Sequence, residues 1–197
     1  PDERYVVANF DKDIAEEILV HNPTTGQLRF YKHQDNGGFR DMTNFELGNL
    51  TGVSLVNVEI LVGAFSSDHP ERKDLLILDH ANGQMKMYGS VMLDNGNLSF
   101  WWGFNTRGNL FPAGSQICVA NLDGGTRDGI LVRNGNNYAM YKVEFGDGNL
   151  VRETGVNNGQ LPVKPGEWRV VAAKVRDMSV RNESGSAPLR DDLLLID

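Results

Sequence analysis

Apolar residues in this chain come in short runs divided by polar clusters of Gly, Asn and Asp, and the runs recur in one order. Between Ser115 and Lys142 the order is plain: an apolar strand over Ile117 to Leu122, a polar turn, a second strand at Ile130-Leu131-Val132, a Gly-Asn turn, and an alternating third strand from Tyr138. The same signals begin at Tyr5, at Ile60 and at Trp168, so the chain reads as an internal repeat. The second run of a unit, such as Ile18-Leu19-Val20, is apolar at consecutive positions, which predicts a strand covered on both faces. Tyr31, Tyr88 and Tyr141 recur at one place in the third strand, which predicts a packing role. The clusters Asp35-Asn36-Gly37-Gly38, Asp94-Asn95-Gly96-Asn97 and Gly146-Asp147-Gly148-Asn149 predict hairpins into fourth strands from Phe39, Leu98 and Leu150.

These units divide the chain into repeats over 5–50, 58–110 and 115–161 and a partial repeat over 167–197. Gly48-Asn49-Leu50, Gly108-Asn109-Leu110 and Gly159-Gln160-Leu161 read as linkers. The intervals from Val20 to Leu78 to Val132, 58 and 54 residues, lie slightly above the usual period of a four-stranded propeller blade. The expected fold is therefore all-β: a propeller of four-stranded antiparallel blades, with three blades and part of a fourth in this chain. The fourth unit has a first strand from Trp168, a long polar insertion through Asn182-Glu183-Ser184-Gly185-Ser186, and a second strand over Leu193 to Ile196. A sheet stopping there leaves an unpaired edge, so the missing half-blade is expected from the rest of a parent chain or from a partner chain. The start at Pro1, without an initiator Met or a signal peptide, predicts a processed or trimmed product.

Two positional regularities go with this order. A small residue recurs in the first strand, at Ala8, Gly63, Ala120 and Ala172, where strands lining a central channel would crowd one another. An acid recurs before the second strand, at Glu16, Asp74, Asp128 and Asp192, and is expected to accept backbone N–H groups and close the turn between the first two strands.

Composition narrows the partners. The formal net charge of −7 is spread without a basic stripe, which argues against nucleic acid. Cys118 is the only cysteine, so no disulfide forms within the chain, and its apolar strand predicts an inert thiol. No apolar stretch has membrane-spanning length.

The runs Asn9-Phe10-Asp11-Lys12-Asp13-Ile14-Ala15-Glu16 before Ile18-Leu19-Val20, and Asn121-Leu122-Asp123-Gly124-Gly125-Thr126-Arg127-Asp128 before Ile130-Leu131-Val132, resemble the FG-GAP or VCBS-type repeat of integrin-α-like β-propellers. The motif is specific in the first and third repeats and is replaced by Ser66-Ser67-Asp68-His69-Pro70 in the second. The resemblance implies an extracellular or secreted propeller. It also implies a calcium loop in the first turn, with Asn9, Asp11, Asp13 and Glu16 as the oxygen ligands, because a loop that curls around a hard cation presents alternate side chains to it. Here the loop is one residue shorter than the family's, and the glycine at its bend is replaced or displaced. The alternative is a turn whose carboxylates bond its own amides.

Catalytic signatures are absent from the sequence: there is no phosphate-cradling loop, nucleophile elbow or paired-histidine zinc motif. His21, His33, His69 and His80 share no ligand spacing and are expected at strand ends or in loops. Asp191-Asp192 lie on neighbouring positions of one strand, so they face apart. The residues that best suit a ligand are Trp101 and Trp102, with Asp94, Asn105 and Arg107 nearby, since flat aromatic faces stack on sugar rings while polar side chains bond the hydroxyls. Packing between blades is the competing reading for both indoles. The expected function is non-enzymatic recognition of carbohydrate or of a cell-surface protein by a secreted protein. Two alternatives stand beside it: a docking segment of a larger secreted assembly, such as a bacterial toxin complex, and part of a polysaccharide-active enzyme. The triplets Asn49-Leu50-Thr51, Asn97-Leu98-Ser99 and Asn182-Glu183-Ser184 match the N-glycosylation pattern, which a chain rich in Asn produces by chance.

Overall fold

The computed structural model describes residues 2–11, 13, 15–43, 50, 53–65, 72–81, 84–92, 98–105, 111–112, 114–121, 126–144, 149–152, 159–160, 169–173 and 192–196, of which 92, 102–105, 143–144 and those beyond 148 are described by their backbone. The elements are strands joined in antiparallel order. The first sheet is β1 (Arg4–Ala8), β2 (Glu17–Asn22), β3 (Gln27–His33) and β4 (Phe39–Asp41), paired in sequence order. The second is β5 (Val58–Gly63), β6 (Asp74–Asp79), β7 (Gln84–Met92) and β8 (Leu98–Asn105). The third joins β9 (Gln116–Ala120), β10 (Gly129–Asn134), β11 (Asn137–Glu144) and β12 (Asn149–Arg152). β13 (Gly159–Gln160), in a stretch expected to be a linker, pairs with β11 as a short extra strand. Last come β14 (Arg169–Ala173) and β15 (Asp192–Ile196), a two-stranded pair. Among the described residues, no helix is long and apolar enough to cross a membrane.

Alternation along each strand explains the order of the core. Successive side chains leave a strand on opposite faces, and directly paired residues share a face. We call the face of a sheet turned towards the next sheet its front and the opposite face its rear. On the front of the first sheet, Leu19, Leu28 and Phe30 pack with Phe10 against Ile60, Leu75, Ile77, Tyr88 and Phe100 on the rear of the second. Phe10, Phe30 and Phe100 meet edge to face, with ring centroids 5.5, 5.7 and 6.4 Å apart. Leu61, Leu76, Leu78, Met85 and Met87 on the front of the second sheet meet Ile130, Val132, Ile117, Val119 and Tyr141 on the rear of the third. A smaller cluster of Ala120, Leu131 and Met140, with Cys118 and Tyr138 beside it, lies on the front of the third sheet. The consecutive apolar positions of β6 are thus shared between two interfaces.

The turn before β4 takes the form its residues predict. Gly37 holds φ at 84°, and Gln34 and Gly38 close the hairpin, the Gln34 N–H donating to the Gly38 carbonyl at 2.8 Å. The corresponding clusters around Asp94 and Asp147 lie outside the described residues.

Register corrects both positional regularities by one residue. Ala8 pairs with Glu17, Gly63 with Asp74, Ala120 with Gly129, and Ala173 with Asp192. The small-residue position is therefore Ala173 in the last pair rather than Ala172. The acid position is Glu17 rather than Glu16, and in the third sheet it is Gly129, with Asp128 one residue ahead of it. A glycine is required at two of these places: a Cβ on Gly63 would stand 2.7 Å from Val119 Cγ1, and one on Gly129 would stand 2.5 Å from Met140 Cε and 2.8 Å from the Tyr141 carbonyl oxygen.

Candidate functional site

The first candidate lies in the turn between β1 and β2. Asp11 is buried, Asp13 and Glu16 are exposed, and Glu17 is wholly buried at the start of β2. One carboxylate oxygen from each of Asp11, Asp13 and Glu17 lies within 4.8 Å of the others. Glu16 and Asn9, expected as ligands, are not in this group; the Asn9 side-chain amide donates to the Asp13 carbonyl. Glu17 was missed because two adjacent glutamates point to opposite faces and the sequence does not choose between them.

Each carboxylate in the group accepts one backbone amide. Asp11 Oδ1 accepts the Asp13 N–H at 3.0 Å, Asp13 Oδ1 accepts the Ala15 N–H at 2.7 Å, and Glu17 Oε2 accepts the Phe10 N–H at 2.8 Å. The two aspartate bonds are Asx-type and fold the turn on itself, and the Glu17 bond ties its far end back to Phe10. Lys32, on the adjoining strand β3, donates its ammonium to Asp11 Oδ2 and stands 3.8 Å from Asp13. Glu17 Oε1 is buried and has no partner among the described residues. Burial raises the Glu17 pKa to about 7, helped by the charges of Asp11 and Asp13 and opposed by the Phe10 N–H and Lys32. Burial alone would lower the Lys32 pKa, but the hydrogen bond to Asp11 and the surrounding carboxylates hold it above its usual value.

Calcium takes six to eight oxygen ligands in this kind of loop. Asp11, Asp13 and Glu17 offer three carboxylates, of which Asp11 and Asp13 are also engaged by Lys32 and by backbone amides. They form a turn closed by a tethered cation. The equivalent positions show the same theme in altered form: Asp74 accepts the Phe65 and Ser90 N–H groups, both at 3.1 Å, and Lys142 reaches the Arg127 carbonyl at 2.6 Å.

The second candidate is the outer strand of the second sheet. Trp101 in β8 pairs with Gly89 in β7 and is 58% exposed, whereas Phe100 next to it is fully buried in the core. Since Gly89 carries no side chain, the indole has a clear flank along the sheet. The same row holds Gly63 and Asp74, so Trp101 stands on the front face at its outermost strand. Trp102 pairs with Tyr88 and Asn105 with Lys86, and the register shifts between Met87 and Tyr88. The two tryptophans therefore occupy consecutive positions of one strand beside a bulge. Asp94 and Arg107 lie outside the described residues.

A polar cleft of about 570 Å³ opens at the other end of the first two sheets, lined by Asp2, Glu3, Arg4, Thr24, Asn57 and His80 among others. Its groups are largely spent on one another and on their neighbours: Thr24 donates to Asp2, Arg29 pairs with Glu3, and His80 meets Glu59 at 2.9 Å. His21, near the end of β2, bonds the Leu55 carbonyl through Nε2, and burial lowers its pKa, so it is a neutral part of the packing. In comparisons with known proteins, no family model matches the chain and no curated protein matches it by sequence.

Proposed function

We propose that this chain is a recognition module of a secreted or cell-surface protein, built as part of a β-propeller of the FG-GAP/VCBS type, and that it binds carbohydrate through Trp101. The observation that carries this reading is the Trp101 indole, 58% exposed on an outer strand opposite a glycine. A large aromatic face left in water beside a rigid sheet suits the stacking of a sugar ring. Sequence order, hairpin by hairpin pairing and face-to-face sheet packing support the propeller architecture, in which each sheet is a blade. The acid group at Asp11, Asp13 and Glu17 is bound to backbone amides and Lys32, which suits a structural turn better than acid–base chemistry.

The test is a glycan-array screen with calcium and with a chelator, followed by titration of Trp101→Ala. Specific binding that is insensitive to chelator and weakened about tenfold or more by the substitution, with the circular dichroism unchanged, supports the reading. A blank array in both buffers overturns it and moves the assignment to protein docking.

A further inference from the structure

The segment over residues 53–57, which leads into β5, is clamped to the turn between β2 and β3, and one of the groups that clamp it titrates. His21, buried at the front of the first sheet, donates from Nε2 to the Leu55 carbonyl at 2.9 Å. Two residues further on, the Asn57 N–H donates to the Pro23 carbonyl at 2.8 Å. Between these bonds Gly26 lies so close to the segment that a Cβ there would stand 3.2 Å from the Val56 nitrogen and 3.3 Å from the Leu55 carbonyl carbon. Asn57 holds φ at 57°, and among the described residues it is the one residue other than glycine with a positive φ. Asn enters that region more readily than most residues, but the surrounding bonds must keep it there.

The imidazole is built to hold in one protonation state. The Leu55 carbonyl can only accept, so Nε2 carries the proton and Nδ1 is the bare nitrogen of the neutral ring. Nδ1 is buried and has no partner among the described residues. A proton added there makes an N–H without an acceptor and a charge without water. The charged groups described around this joint offer no relief. Arg4 pairs with His21 across β1 and β2, Asp2 accepts the Thr24 hydroxyl at 3.0 Å, and His80 is held by Glu59 at 2.9 Å. On the rear of the second sheet, Asp79 accepts the Ala81 N–H at 2.9 Å, and Lys86 lies further along β7.

We propose that His21 is an acid-released latch: protonation at Nδ1 drives the ring towards water, frees the Leu55 carbonyl and lets residues 55–58 lift from the β2–β3 turn. The polar cleft between the first two sheets has Arg4, Pro23 and Thr24 on one side of this joint and Asn57 and Val58 on the other, so release widens it. Burial lowers the His21 pKa, opposed by the bond to Leu55 and aided by the charge of Arg4. The closed chain therefore takes up the proton less readily than the opened one. The latch holds fully above the ordinary value of 6.5 and weakens as pH falls below it.

Amide hydrogen exchange of the 197-residue chain at about pH 7 and about pH 5, corrected for the intrinsic pH dependence, tests this alongside His21→Gln. A glutamine amide can donate to Leu55 and does not titrate. In the native chain the protection of the Asn57 amide should be about tenfold lower in acid while that of Ile77, inside β6, is unchanged; the variant should protect Asn57 equally at both. Glu17 acts with the opposite sign, its contribution growing as pH falls, so it does not imitate this loss. Protection at Asn57 that acid leaves unchanged, an equal loss at Ile77, or the same loss in a folded His21→Gln overturns the proposal. Nuclear magnetic resonance titration of His21 in the native chain needs no variant: a midpoint below 6.5 is expected, and one at or above 6.5 overturns it.

Discussion

Asp128 and Ala64 exchange two hydrogen bonds between the second and third sheets: the Ala64 N–H donates to Asp128 Oδ2 at 2.8 Å, and the Asp128 N–H donates to the Ala64 carbonyl at 2.8 Å. Lys73 donates to the same carboxylate oxygen at 3.1 Å. A residue expected to close a turn within its own unit instead joins that unit to its neighbour. Replacing it with alanine leaves the Ala64 amide and the Lys73 ammonium without their acceptor. Asp128→Ala should lower stability by roughly 2–3 kcal/mol in denaturant unfolding, and Asp128→Asn, which keeps an acceptor, by about half as much.

Glu17 should make stability fall as pH rises. Its folded pKa of about 7 lies above the ordinary 4.5, so the native state holds a proton that the unfolded chain has already lost. The stabilisation is complete below the unfolded pKa and is lost as pH rises through the folded one. Unfolding free energy should therefore decline between about pH 4.5 and 7, by at most about 3 kcal/mol from this group. Glu17→Gln, which keeps an acceptor for the Phe10 N–H, should flatten that slope and equal or exceed the native stability above pH 7. An unchanged slope in the variant would assign the pH dependence to other groups.

Among the described residues Lys32 is the cation paired with Asp11, and its removal leaves that buried carboxylate uncompensated. Lys32→Met should cost about 3 kcal/mol or more, read as a lowered melting temperature. The native chain should melt at the same temperature with calcium or with a chelator. A calcium-dependent rise in the native protein would show that the metal displaces Lys32.

Gly129→Ala places a methyl group against Met140 Cε and the Tyr141 carbonyl oxygen. The side chain can swing aside but the backbone cannot, so the substitution should destabilise by about 1–3 kcal/mol. Gly129→Ala with Met140→Ala relieves only the side-chain clash. A thermal-melt comparison of the single and double variants measures how much of the cost belongs to the strand.

The alternation of apolar and polar residues and the placement of Gly and Asn determined the strands, the order in which they pair and the division of apolar side chains between two faces. Tyr88 and Tyr141 fell into packing places that their recurrence foretold, and Gly37 into the positive φ that its hairpin needs. Tertiary structure decided which of two neighbouring residues faces which way. Glu16 and Glu17, Ala172 and Ala173, and Asp128 and Gly129 differ by one position along a strand, and one position exchanges the two faces of a sheet. Only the packing of sheet on sheet selects between them. The same cause hid the role of Lys32, which meets Asp11 across 21 residues of chain, and the bond from Asp128 to Ala64, 64 residues away. Sequence periodicity reports the faces a strand must have, whereas the partner across each face exists only once the sheets are stacked.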